Sequence, residues 1–157
     1  MRFLPVFIVV LLASACLSEP DCIDSGSSTV HFRIRDSTNA VTKAIFKSIH
    51  VSGTTTVFAT APKDTVSTIS LPVNPQEGQT SYVFDYDYFF QGSKIPKHRK
   101  DSITVTYTAE KIIVSTTCPP YKKISNLDVP EFSYQEKPLV LNGQLNTSEA
   151  INIDIKL

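Results

Sequence analysis

The chain reads as an all-β protein, an antiparallel two-layer β-sandwich, immunoglobulin-like in general architecture, behind an N-terminal export segment. Three observations predict this. Short runs with strict apolar–polar alternation recur along the chain, the period-2 pattern of half-buried strands. Val, Ile, Thr and Tyr fill these runs, and such side chains suit a pleated surface. No stretch carries a 3.6-residue apolar period beyond two turns, so strands follow one another without intervening helices, as in a sandwich. A closed barrel fits the same alternation.

Strand by strand, the alternation is as follows. In Thr29 to Arg35, Val30, Phe32 and Ile34 take one face and His31, Arg33 and Arg35 the other. Ala44 to Val51, Thr55 to Thr60 and Val66 to Leu71 are the next strands, and the last stops at Pro72. Pro72, Asn74, Pro75 and Gly78 make a turn region. Ser81 to Tyr88 places Tyr82, Phe84, Tyr86 and Tyr88 on one face. Ser102 to Thr108 and Lys111 to Thr117 read as a hairpin with a tight turn, closed by Pro119 and Pro120. Leu139 to Leu141 is a short strand, and Ala150 to Leu157 alternates again through Ile151, Ile153, Ile155 and Leu157.

The 157 residues suit one domain. At 41% hydrophobic and 19% charged, the chain can build a packed core. Acids and bases balance at 15 each, so no global basic field points to nucleic acid.

The first fifteen residues, MRFLPVFIVVLLASA, place Arg2 before an apolar run from Phe3 to Leu12 and the small residues Ala13, Ser14 and Ala15. That is the layout of a secretory signal peptide, and the run is too short to span a bilayer. Two processing routes fit. Ordinary signal peptidase would accept the small residues. The same residues before Cys16 resemble a bacterial lipobox, although Ala13 stands where Leu, Val or Ile is usual. Cysteine counting favours the lipobox. Of Cys16, Cys22 and Cys118, the latter two can pair in an oxidising compartment, leaving Cys16 for acylation. The expected organisation is a signal peptide over 1–15, a lipidated tether over 16–28 and a β-sandwich over 29–157. A Cys22–Cys118 bond would close a loop of about a hundred residues and restrict the unfolded chain by about 4–5 kcal/mol.

Several segments together carry a resemblance: HFRIRD at 31–36, ISLPVNP at 69–75, TSYVF at 80–84, DSITVTY at 101–107, VSTTCPPYKKISNL at 114–127 and INIDIKL at 151–157. In their order and spacing the chain resembles an uncharacterised family of Bacteroidetes lipoproteins, a domain of unknown function. Family members commonly have Cys-Gly-Tyr where this chain has Cys118-Pro119-Pro120-Tyr121. The resemblance implies an envelope lipoprotein with an all-β domain and brings no catalytic residues. Glu19 and Asp21, soon after Cys16, resemble the lipoprotein export signal of that bacterial group.

Catalytic signatures are absent: there is no Gly-x-Ser-x-Gly, His-Glu-x-x-His, P-loop or dinucleotide fingerprint. His31, His50 and His98 are widely spaced, so no metal and no cofactor is expected. Asp85 and Asp87 share a strand face, in a pattern that suits Ca²⁺ or acid–base work but is more common on solvated faces. The aromatic run from Tyr82 reads as core, with Phe89 and Phe90 as its surface pair. Lys94, Lys97, His98, Arg99 and Lys100 form the charge cluster of the chain, placed in a loop, and are the candidate contact for an anionic partner, headgroups included. Asn146-Thr147-Ser148 matches a glycosylation acceptor that matters only in a eukaryotic host. The expected function is a non-enzymatic outer-membrane lipoprotein, facing the periplasm or the cell surface, that binds or scaffolds another envelope protein or a glycan. A glycan- or ligand-binding accessory protein is the alternative, and a hydrolase a distant third.

Overall fold

The computed structural model describes residues 28–52, 57–58, 64–90, 93–113, 115, 118, 120–145 and 149–157. The signal peptide, Cys16, Cys22, the tether up to residue 27 and the Asn146-Thr147-Ser148 acceptor lie outside them. Among the described residues there is no helix. The strands are β1 (Thr29–Arg35), β2 (Ala44–Val51), β3 (Val57–Phe58), β4 (Thr68–Pro72), β5 (Gln79–Tyr88), β6 (Lys97–Ile112), β7 (Tyr121–Phe132), β8 (Leu139–Val140) and β9 (Ile153–Lys156). They form a four-stranded sheet in the order β4-β1-β9-β8 and a five-stranded sheet in the order β3-β2-β5-β6-β7. The predicted all-β sandwich is the observed architecture.

Alternation explains the core. Val30, Phe32 and Ile34 of β1 and Ile153 and Ile155 of β9 face inward from one sheet. Phe46, Tyr82, Phe84, Tyr86, Ile103 and Val105 face them from the other. Phe32 meets Tyr82 and Phe84 edge-on across the layers, with ring centroids 5.7 and 5.9 Å apart, an arrangement the ring quadrupoles favour. The buried phenols keep partners: Tyr82 donates to the Pro72 carbonyl at 2.7 Å and Tyr86 to Asp101 at 2.6 Å. Burial raises both phenol pKa values far above their usual range, so both stay protonated.

Three sequence expectations are corrected. First, the hairpin turn does not fall at Ala109-Glu110. Strand β6 runs on from Lys97 to Ile112, and Lys111 pairs with Lys122 and Ile112 with Tyr121. Ala109 and Glu110 offer no Gly or Asn for a tight turn, whereas Pro119 and Pro120 lack the N–H that a ladder needs.

Second, β7 falls where no strand was predicted. Its inward residues are Ile124, Leu127 and Val129, a spacing of three and then two. The extra residue is Asn126, at φ 57°. Across from it the register shifts, with Thr106 opposite Asp128 and Thr108 opposite Ser125. A bulge of this kind breaks the period-2 signal. Pro130 is tolerated because β7 is an edge strand.

Third, not every pair is antiparallel: β9 inserts between β1 and β8 and runs parallel to β1, with Phe32 opposite Ile153 and Ile34 opposite Ile155.

The sandwich has two distinct ends. At one, Thr29 pairs with Pro72, Ser28 accepts from Val73 at 2.7 Å, and β6 runs out toward Cys118. At this end Gly78, at φ 69°, turns the chain into β5, in a conformation that costs glycine little. At the other end lie the β1–β2 loop and the β5–β6 loop, where Asp36, Thr42, Tyr88, Phe89 and Phe90 line one small crevice.

Candidate functional site

The structure divides the predicted basic loop. Only Lys94 lies in the loop; Lys97 to Lys100 belong to β6. Strand alternation then sends neighbouring side chains to opposite faces. Arg99 turns toward the interior, where its guanidinium donates to Asp101 at 3.1 Å. Asp101 is buried and also accepts from Tyr86 at 2.6 Å and Ser133 at 2.9 Å. Arg99 is therefore a structural cation and not a free contact for an anion. His98 points to the outer face, where its Nδ1 lies 3.0 Å from Asp87 Oδ1 and its Nε2 3.7 Å from Asp85. Lys94, Lys97 and Lys100 are exposed and form no ion pair among the described residues.

Asp85 and Asp87 do share the outer face of β5, as expected. Lys47, the extra residue of a bulge in β2, reaches Asp87 at 3.0 Å. The hydrogen bond from Lys47, helped by His98, holds the Asp87 carboxyl below its usual range. One oxygen of Asp85 is shielded from solvent without a hydrogen-bond partner. A His–carboxylate pair is an acid–base element in principle. Here it lies on an open sheet face, and no hydroxyl or thiol is hydrogen-bonded to His98 among the described residues. No group of three or more metal-ligating side chains occurs among the described residues.

A second charged cluster was not predicted from the sequence. Asp154 of β9 receives both nitrogens of Arg33 at 2.7 and 2.9 Å and Arg35 at 2.6 Å. Arg35 also donates to the Asn39 carbonyl. Burial alone would raise the Asp154 pKa, but the two guanidiniums outweigh it and hold the carboxylate below its usual range. Next to it, Asn152 is buried and fully used: it accepts from the His31 N–H at 2.9 Å and donates to the carbonyls of Asn142 and Gln144 at 3.2 and 3.1 Å. The alternations Arg33-x-Arg35 and Asn152-x-Asp154 are visible in the sequence. Only the parallel β1–β9 pairing brings them together.

Beside this cluster runs an open groove of about 320 Å³. Arg35, Lys137 and Lys156 oppose Glu136 and Asp154 there, and Leu139 and Leu141 of the β8 edge supply exposed apolar surface. Lys156 pairs with Glu136 at 2.9 Å.

Of the cysteines, Cys118 is buried and its N–H donates to the Ser115 hydroxyl at 3.3 Å; its predicted partner Cys22, like Cys16, lies outside the described residues. No protein-family model matches the chain, and neither does any curated protein or solved structure.

Proposed function

We propose that this chain is a non-enzymatic bacterial envelope lipoprotein of the family it resembles, anchored at the outer membrane through an acylated Cys16, whose β-sandwich works as a binding module. One observation carries the non-enzymatic part. The strongest polar constellations, Arg33–Arg35–Asp154, Arg99–Asp101–Tyr86 and Lys47–Asp87–His98, are spent on holding strands together. The concavity beside the Asp154 cluster is an open groove with mixed charge and exposed leucines, a surface suited to contact and not to chemistry. The Cys22–Cys118 bond belongs to the same proposal. It is supported by a buried Cys118 that follows β6 at the end of the sandwich where Thr29 enters.

A single preparation tests both covalent claims. The Cys16→Ser chain is expected to leave the membrane fraction for the soluble envelope fraction. With only Cys22 and Cys118 remaining, it should take up a thiol-labelling reagent only after reduction. An unchanged membrane fraction would refute the anchor, and labelling of both thiols in the folded, unreduced protein would refute the bond.

The groove gives the ligand- or glycan-binding alternative its foothold, and co-purification decides where a partner sits. A component that co-purifies from solubilised envelopes with the parent chain should be lost from a Leu139→Glu, Leu141→Glu chain. Retention by both would remove the groove from the contact surface.

A further inference from the structure

We infer that the end of the sandwich formed by the β5–β6 and β1–β2 loops is a second membrane contact, docking on the anionic headgroups of the bilayer that holds the anchor. The end carries the largest apolar exposure in the described chain. Ile95 is 77% exposed, Val41 53%, Phe90 43% and Phe89 41%. Large apolar side chains held in water are surface looking for a cover.

The charges of the β5–β6 segment around them have one sign. No Asp or Glu occurs between Tyr88 and Lys100, while Lys94, Lys97 and Lys100 do. Lys97 Nζ sits 4.7 Å from the centre of the Phe90 ring, so a cation and an aromatic face are presented together. Two carboxylates border this end, and only Asp87 is offset by a cation. Asp36 accepts from Thr38 and Ala40 of its own loop, and Asp87 is held by Lys47 and His98. Aromatic and aliphatic tips on a segment that also carries lysines match a bilayer interface, where the ring and the chain enter the acyl boundary and the ammonium stays with the headgroups.

Shape separates a bilayer from a folded acidic protein. A protein partner holds on through buried anchors fitted to pockets. The crevice at this end, between residues 36–42 and 88–90, has a volume of only about 10 Å³. A crevice that small gives a protein anchor little to fit, whereas lipid deforms around exposed side chains.

The anchor end and this end are opposite, and the distances agree with both touching one membrane. The ten residues of β5 extend about 34 Å. Even with Cys22 bonded to Cys118, the residues between Cys16 and Cys22 can span about 20 Å. That slack lets the domain lie along the bilayer, held at each end, instead of standing on its tether. The orientation rests on the proposed anchor; the docking does not, and it is tested without the acyl chain.

The mature chain carrying Cys16→Ser is mixed with vesicles of equal parts phosphatidylglycerol and phosphatidylcholine, and separately with phosphatidylcholine alone, and the bound fraction is read by co-sedimentation. Binding to the anionic vesicles is expected to be about tenfold tighter and to weaken with added salt. Phe89→Ser with Ile95→Ser should weaken binding to both by about tenfold or more. Lys94→Glu with Lys97→Glu should erase the preference for the anionic vesicles. Unchanged thermal unfolding of these surface variants shows that the fold is kept. Equal binding to both vesicles, no binding, or variants that bind like the parent would overturn the inference. In cells, a photo-crosslinking amino acid in place of Ile95 of the otherwise intact chain should yield a lipid adduct. A protein adduct alone would overturn the lipid contact while leaving the anchored binding module standing.

Discussion

Replacing Asp154 with alanine is expected to lower the free energy of unfolding by about 3 kcal/mol, a large share of the 5–15 kcal/mol that holds a domain. The reason is asymmetry. With its partner present, each guanidinium has a short, charge-assisted bond, and the pair from Arg33 is bidentate. With the carboxylate gone, Arg33 and Arg35 stand next to each other on β1, 24% and 26% exposed, with like charges facing and no anion between them. Their partial exposure lets water take up part of the loss, so the expected cost is at the lower end for a broken buried pair. Asp154→Asn keeps an acceptor but not the charge and should fall between. Chemical denaturation at neutral pH measures both.

The same residue sets an acid dependence. Its folded pKa is held below the 3.8 of an ordinary aspartate. A group depressed in this way contributes stability that is fully present above about pH 4 and is lost as pH falls through the lower, folded value. The parent should therefore lose stability more steeply below pH 4 than the alanine variant, and the two curves should converge in acid. Parallel curves would show that Asp154 is not the linked group.

Phe84→Ala should cost about 3–5 kcal/mol and lower the midpoint of thermal unfolding by roughly 10–20 °C. Phe84 is fully buried at the centre of the sandwich, with ring centroids of Phe32, Phe46 and Tyr82 at 5.9, 5.8 and 6.2 Å. Truncation removes its transfer free energy and leaves a cavity lined by three rings, each stiff and each fixed to its own strand, so the site has little room to collapse. Phe90→Ala is the matched control: the same atoms are removed from a side chain 43% exposed, and the expected change stays within about 0.5 kcal/mol. Comparable losses for the two would mean that Phe90 is packed in solution.

The sequence alone determined the class of fold and the inward face of most strands, because burial on a sheet follows a period of two and local order shows it. Val30-Phe32-Ile34 and Tyr82-Phe84-Tyr86 could be read directly, and Phe89 and Phe90 stood out as the exposed pair. It also determined the inventory of charges and cysteines from which the anchor is proposed. The three-dimensional arrangement decided what those charges do. Arg99 and His98 are neighbours in the chain, yet one is turned in to Asp101 and the other out to Asp87, because β6 begins earlier than its apolar residues reveal. Strand β7 stayed hidden because one left-handed residue, Asn126, shifts its period. The Arg33–Arg35–Asp154 cluster depends on the parallel contact of β1 with β9, across more than a hundred residues. No local propensity encodes that pairing; it follows from closing one core between two sheets, which only the folded chain can do.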